Sequence, residues 1–413
     1  MHIASNIIGG QLRTGSRLLD SHNPATGQVM GRFPHSDAIE VAAAVAAARQ
    51  AQPGWAALSL AQRREHLQRV ADAIAANAER LATLVTLEQG RPLGGVGPDQ
   101  VPGSRFELWG CEAWTRATAS LELAPEVVFE DETRRDELHR KPYGVIAAIA
   151  PWNWPLMISI WQIIPALYTG NTVVLKPSEY TSVCGLELAR VIAEALPAGV
   201  LNTVSGDGSV GALLVEDANV NKIMFTGSGA TGARIVAAAA RNLTPTTMEL
   251  GGNDAAIVLE DADPKAIAPG LFWGAFLNMG QTCACAKRLY VPDALHDQIV
   301  AELKAIIAAT PMGDGLQPGI AMGPVQNPMQ LKKVAALVDS AREEGATIVC
   351  GGVLPDGPGN FYPLTLVTEI RDGARLVDEE QFGPVLPIIR YSDLEQAIAN
   401  ANRLDVGLGA SVW

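Results

Sequence analysis

Lys222-Ile-Met-Phe-Thr-Gly-Ser-Gly-Ala-Thr-Gly232 is a short apolar run that passes through glycines into a helical pattern near Ala230–Arg241. Its Gly227-x-Gly229-x-x-Gly232 spacing matches the dinucleotide-binding fingerprint letter by letter. The physical basis is that free amides at a helix N-terminus favour pyrophosphate oxygens. A lone glycine pattern also marks any tight strand-to-helix turn, so the flanking sequence has to decide. An ordinary fingerprint recruits an acid about twenty residues further on, and Glu249 lies near that spacing.

Outward from this stretch, apolar runs at Val145–Ala150, Thr172–Leu175 and Lys222–Phe225 alternate with helical patterns near Val183–Ala195 and Ala230–Arg241. That alternation is the pattern of a parallel sheet with crossover helices, hence an α/β fold. A new section follows Gly251-Gly252, with a strand at Ala255–Leu259 and helices near Ala266–Asn278, Leu295–Ala309 and Lys332–Glu344. Towards the N-terminus, residues 1 to 35 read as short strands and turns. Asp37 then caps a helix over Ala38–Gln50 that Pro53-Gly54 should end. A helix over Leu60–Glu88 presents Leu67, Val70, Ile74, Leu81 and Leu84 on one face, and a third spans Ser104–Ser120. Val127–Lys141 reads as a charged strand–turn–strand with little core of its own.

The chain has 413 residues, which suggests two or more domains, and a hydrophobic fraction of 48% suits a packed globular protein. A net charge of −13 argues against nucleic-acid and anionic-membrane partners. The five cysteines are odd in number and scattered, so they do not form a disulfide framework, and Cys283 and Cys285 have no neighbouring partners for a zinc site. No signal-peptide pattern and no membrane-spanning apolar run is present, so a cytoplasmic location is expected.

Four stretches carry candidate chemistry. In Phe276-Leu-Asn-Met-Gly-Gln-Thr-Cys-Ala-Cys-Ala-Lys-Arg288, Gly280 permits a tight turn, and the small neighbours Thr282 and Ala284 leave room beside the Cys283 thiol. A thiol is the readiest side-chain nucleophile near neutral pH. A buried structural cysteine is the competing reading, and Cys285 the competing nucleophile. In Pro151-Trp-Asn-Trp-Pro155, Asn153 sits between water-excluding aromatics on a restricted backbone, which suits a preorganised oxyanion donor. Glu249, in Met-Glu-Leu-Gly-Gly, would gain general-base character if burial raised its pKa; an exposed strand-end carboxylate is the alternative. Lys176 and Glu179 follow a strand, where they could donate to and accept from ribose hydroxyls, or simply be solvated. No histidine lies in these motifs, so a Cys–His dyad is not supported.

Phe276-x-x-x-Gly280-Gln281-x-Cys283 resembles the active-cysteine signature of the NAD(P)-dependent aldehyde dehydrogenase superfamily. Pro151–Pro155, Met248–Gly252 and Glu380-Gln-Phe-Gly-Pro384 carry the same resemblance in the same order, across the whole chain. The resemblance implies an aldehyde dehydrogenase-like α/β fold: a Rossmann-type NAD-binding domain over 1–124 and 144–250, an oligomerisation hairpin over 125–143, and an α/β catalytic domain over 251–413. It implies that Cys283 is the nucleophile, that Asn153 and the Cys283 amide hold the oxyanion, and that Glu249 activates the hydrolytic water. Gly227 and Ser228 would touch the pyrophosphate, Lys176 and Glu179 the ribose, and Glu380 and Phe382 the nicotinamide end, with Trp152 also at the cofactor. Trp154, Met157, Trp161 and Thr282 would line the aldehyde path, although helical spacing fits the first three equally to a core.

A carboxylate at Glu179 would repel a 2′-phosphate, favouring NAD over NADP. No metal is implied, and the assembly would be a homodimer or homotetramer. Resembling proteins continue past Trp413, so the resemblance also implies a C-terminally truncated member with an incomplete catalytic domain. Two alternatives stand beside aldehyde oxidation: acyl transfer to coenzyme A, against which Glu249 speaks, and a catalytically impaired chain that only binds NAD or assembles.

Overall fold

The strand–helix alternation after Gly144 builds a five-stranded, all-parallel sheet in the computed structural model, which describes residues 2–97 and 100–413. Its spatial order is Leu201–Thr203, Thr172–Lys176, Val145–Ile149, Lys222–Thr226, Thr246–Glu249. Every residue of Val145–Ile149 and Thr172–Lys176 is buried, which is why these strands read as continuous apolar, β-branched runs rather than as alternating ones. The strand order reverses on either side of Val145–Ile149, which lies between its successor and the strand Lys222–Thr226. Ligands of open parallel sheets bind beyond the carboxyl ends of the strands at such a switch point.

A second sheet has six strands in the order Thr347–Cys350, Thr365–Thr368, Val385–Tyr391, Arg288–Pro292, Ala255–Ile257, Ala410–Val412. Only Thr347–Cys350 is antiparallel to its neighbour. One face packs on a core that includes Val334, Leu337, Tyr362, Val377 and Ile389, the other on Phe272, Phe276, Ile299, Leu303 and Ile388. The last strand, Ala410–Val412, pairs in parallel with Ala255–Ile257.

The chain divides into two compact units: Met1–Ser21, Val29–Val85 and Arg105–Glu249 in one, His22–Gln28, Thr86–Ser104 and Leu250–Trp413 in the other. The second thus takes in two short N-terminal pieces besides everything after Glu249. Among the described residues, no helix is long and apolar enough to cross a membrane.

Three boundaries differ from the sequence expectations. The first helix, Ala38–Ala56, has the expected Asp37 cap but continues through Pro53 and Gly54, and buried Trp55 on its last turn donates to the Leu167 carbonyl at 2.9 Å. Tertiary anchoring there outweighs the local breaker signal. The expected Leu60–Glu88 helix is two, Leu60–Ala76 and Ala78–Gln89, because Asn77 leaves helical geometry and turns its side-chain amide back onto the Ala73 carbonyl. The helix expected over Ala266–Asn278 stops at Phe276, since Asn278, Met279 and Gly280 all take positive φ (54°, 60° and 67°). The hairpin forms as expected, from Glu126–Glu130 and Arg135–Leu138, with Val127, Val128, Phe129 and Leu138 exposed.

Candidate active site

In the first unit, the sequence-selected residues follow the carboxyl ends of parallel strands. Pro151–Trp154 leads from Val145–Ile149 into the helix Pro155–Tyr168, whose first residue is a proline and which has no side-chain cap of its own. Its exposed amides are met from another helix: the buried Glu107 carboxylate accepts from Leu156 at 2.9 Å and from Met157 at 3.0 Å. Charge-assisted bonds to free N-terminal amides stabilise a helix start strongly. This anchor fixes the turn in which Asn153 is held, 4% exposed. Trp154 is buried edge-on to Phe106, Met157 is half-buried, and Trp161 is 42% exposed beside Trp114. Trp152 is half-buried.

Lys176 ends the strand Thr172–Lys176 and is 3% exposed, so the solvated-charge alternative does not hold for it. Its ammonium donates to the Pro177 carbonyl at 3.1 Å and stands 3.9 Å from the Glu179 carboxylate, which is 38% exposed. Burial pushes the Lys176 pKa down, against the opposing pull of Glu179 and Asp207. At the end of Lys222–Thr226, Ser228 caps the helix Gly229–Ala239 by accepting from the Thr231 amide. The Gly227 amide donates to the Glu249 carbonyl at 3.0 Å, so the glycine turn is tied to the last strand of the sheet. Glu249 itself is exposed. The burial expected of a general base is absent, because it ends an edge strand rather than lying inside the sheet.

In the second unit, the sequence-selected residues gather at the amino ends of three adjacent parallel strands. Cys283 precedes Arg288–Pro292, Glu380 precedes Val385–Tyr391, and Gly252 precedes Ala255–Ile257. Gly280 is required in the Cys283 turn: its φ is 67°, and a Cβ there would press into the Gly383 carbonyl. Cys283 is half-buried, and burial pushes its thiol up, against the opposing effects of the Ala284 amide and the Lys287 ammonium. Cys285 is buried, with its sulfur 3.5 Å from the Gly280 carbonyl, the environment of a packed thiol. Thr282 is half-buried beside Cys283. The Glu380 carboxylate accepts from the Gly252 amide at 3.3 Å and lies 3.4 Å from the Lys287 ammonium; burial nonetheless raises its pKa. Phe382 takes φ 49°, uncommon for a residue with a side chain, and its ring lies 5.9 Å from the Lys287 ammonium.

Sequence reasoning missed the buried side chains that hold these turns. Gln281 donates to the Asn278 carbonyl at 3.0 Å and accepts from the Gln326 amide at 2.9 Å. Gln89 donates to the Asn278 side chain at 3.1 Å. Gln330 donates to the carbonyls of Gln381 and Phe382, at 2.7 and 2.9 Å. Gln381 donates to the carbonyls of Lys287 and Val385, joining two of the motifs. Glutamines inside apolar-flanked motifs were the available signal, since a buried amide must find partners.

Comparison with known proteins is consistent with this arrangement. The model of the aldehyde dehydrogenase family matches residues 12–413. A betaine aldehyde dehydrogenase of Cereibacter sphaeroides is 38% identical over 399 residues, covering 95% of this chain and 80% of that protein. A phenylacetaldehyde dehydrogenase of Pseudomonas fluorescens is 38% identical over 421 residues, covering 98% and 83%. Among solved structures, Escherichia coli lactaldehyde dehydrogenase superposes with a TM-score of 0.94 at 34% identity, covering all of this chain and 87% of that one. An NAD+ complex of a Bacillus cereus aldehyde dehydrogenase gives 0.95 at 32% identity, covering 100% and 84%. An E. coli NADP-dependent enzyme gives 0.95 at 34%, covering 100% and 85%. The chain belongs to the aldehyde dehydrogenase family and is an oxidoreductase that oxidises aldehydes with a nicotinamide cofactor.

Proposed function

We propose that the chain converts an aldehyde to the carboxylic acid with NAD, using Cys283 as nucleophile and Glu249 as the base for hydrolysis. The observation that carries this reading is the turn around Cys283. A half-buried thiol, pushed up by burial against the opposing Ala284 amide and Lys287 ammonium, is held in a backbone geometry that only a glycine at 280 allows.

The residues present suit a dinucleotide. A buried ammonium, Lys176, and the N-terminus of Gly229–Ala239 stand at carboxyl ends of strands in the same sheet, and a Cβ at Gly229 would meet open space. In this reading Lys176 and Glu179 hold the ribose, Gly227 and Ser228 the pyrophosphate, and Glu380 and Phe382 the nicotinamide end, with Trp152 at the cofactor. The Glu179 carboxylate favours NAD by repelling a 2′-phosphate. When bound, the nicotinamide supplies the hydride acceptor for the oxidation.

The protein's own residues perform the rest. The Cys283 thiolate adds to the aldehyde carbon, and the Asn153 side-chain amide with the Cys283 backbone amide holds the resulting oxyanion. Once the carbon is oxidised to the thioester, Glu249 takes a proton from water, and hydrolysis releases the acid and restores the thiol. Exposure of Glu249 leaves it open to the water it must activate. Trp154, Met157, Trp161 and Thr282 contact the aldehyde. The domain roles follow: cofactor binding over 1–124 and 144–250, and catalysis over 251–413. The hairpin over 125–143, with its exposed Val127, Val128 and Phe129, pairs with another copy in a homodimer or homotetramer.

The test is rapid mixing with excess NAD and phenylacetaldehyde, following reduced nicotinamide. A burst equal to the number of sites is expected, abolished in Cys283→Ala and retained in Glu249→Gln, with steady turnover lost in the latter. A burst surviving in Cys283→Ala sinks the nucleophile assignment, and unchanged steady turnover in Glu249→Gln sinks the base.

A further inference from the structure

Lys287 closes the stretch around Cys283 and has been given no role of its own, yet it is 2% exposed and its ammonium faces the Cys283 turn. A lysine ammonium has three protons to donate. Here the partners are the Thr282 carbonyl at 3.0 Å, the Cys283 carbonyl at 2.6 Å and the Glu380 carboxylate at 3.4 Å. The root of the side chain is equally fixed: the Lys287 amide donates to the Asp254 carbonyl at 2.9 Å, and its carbonyl accepts from Gln381 at 2.9 Å. Burying an ammonium is costly unless it is fully paired, so this residue is an expensive way to fill space.

Peptide planarity gives the arrangement its consequence. The Thr282 carbonyl and the Cys283 N–H belong to one trans peptide unit and point in opposite directions, as do the Cys283 carbonyl and the Ala284 N–H. Drawing both carbonyls onto one ammonium turns both N–H groups away from it. Successive amides facing one way form an anion-binding nest. Both amides favour the ionised Cys283 sulfur, as this geometry requires.

We propose that Lys287 is a positioning residue for aldehyde oxidation: by gripping the carbonyls of Thr282 and Cys283, it aims the Cys283 and Ala284 amides at the reacting sulfur and at the oxyanion formed beside it. The inference rests on Cys283 being the nucleophile. It also links that turn to Glu380, so that the thiol turn and the carboxylate assigned to the cofactor share one cation. The charged groups in this neighbourhood are Glu380, which opposes the Cys283 thiolate, Asp254, which opposes ionisation of Cys285, and Lys333 and Arg288, which act on Glu380 and Asp254 respectively. Removing the ammonium therefore leaves the Glu380 carboxylate opposing the Cys283 thiolate without its counter-charge, and the thiol should titrate at higher pH.

The experiment compares wild type, Lys287→Met, Lys287→Arg and Cys283→Ser in two readouts. One is the burst rate constant with NAD and phenylacetaldehyde. The other is the pH profile of iodoacetamide alkylation at Cys283, quantified by mass spectrometry of the intact, folded protein. Lys287→Met is expected to slow the burst about 10- to 100-fold, the scale of a misplaced oxyanion donor, and to move the alkylation midpoint upward. Lys287→Arg, which keeps the charge, should return the midpoint towards wild type. A folded Lys287→Met with wild-type burst and midpoint overturns the proposal. Should that variant not fold, Lys287→Gln, which keeps an N–H donor for the two carbonyls but not the charge, should hold the burst nearer wild type while the alkylation midpoint still moves upward; an unmoved midpoint overturns the proposal. A burst that persists in Cys283→Ser instead overturns the nucleophile assignment, a separable outcome.

Discussion

In the five-stranded sheet, Asn153, Lys176, Gly227 and Glu249 all lie at or just past the carboxyl ends of parallel strands, whereas in the six-stranded sheet Cys283, Glu380 and Gly252 all precede the amino ends of theirs. The two ends demand different means of support. Beyond the carboxyl ends of Val145–Ile149 and Lys222–Thr226 the chain enters a helix within a few residues, and the free amides of such a helix start suit anionic groups. Side chains there need only a cap, such as Ser228, or an anchoring acid, such as Glu107. Before an amino end no helix dipole assists. The turns at Asn278–Gly280 and Phe382 take positive φ, and the buried amides of Gln281 and Gln330 donate to their carbonyls. Strained backbone persists only where its surroundings over-determine it, and it gathers at functional sites.

If this contrast is right, the amino-end turns should break hard and the carboxyl-end turns softly. The largest effect is expected for Gly280→Ala, which combines a left-handed backbone with a methyl pressed into the Gly383 carbonyl. A loss of roughly 3 kcal/mol is expected in chemical denaturation, with loss of the burst; a wild-type midpoint would show that the turn relaxes freely. Next comes Gln330→Leu, which deprives the Gln381 and Phe382 carbonyls of their donor while keeping the volume apolar. About 2 kcal/mol should be lost, and a neutral result would mean that neither carbonyl depends on Gln330. The smallest effect is expected for Ser228→Ala, where removing a helix cap costs about 1 kcal/mol, accompanied by a modest rise in the Michaelis constant for NAD. A loss in Ser228→Ala larger than in Gln330→Leu would reverse the contrast.

The carboxyl-end site was the more legible of the two because its signals are local. A strand, a glycine turn and a helix follow one another within Lys222–Arg241, so periodicity and turn chemistry suffice to find them. The burial of Lys176 was not legible, since a lysine at a strand end is ordinarily solvated and only the packing around Thr172–Lys176 encloses it. Glu249 erred in the opposite direction: its apolar neighbours suggested burial, but they belong to an edge strand that leaves the carboxylate in solvent. At the amino-end site, Cys283, Glu380 and Phe382 were found through motifs, while Lys287 and the glutamines were not. Their partners lie up to 189 residues away, as Gln89 and Asn278 do, and no sequence window contains both.

By itself, the sequence determined the α/β alternation, the glycine turn at Gly227–Gly232 and a tight turn at Gly280, because these depend on backbone sterics and hydrophobic periodicity, which act over a few residues. The tertiary structure alone decided that Pro53 would not end its helix, that Glu107 would cap a helix whose first residue is Pro155, and that one ammonium would gather the carbonyls of Thr282 and Cys283 with the carboxylate of Glu380. Each of these is a polar or strained group stabilised by a partner distant in sequence. Which partner arrives is set by strand order and register, and those emerge only when the whole sheet is assembled.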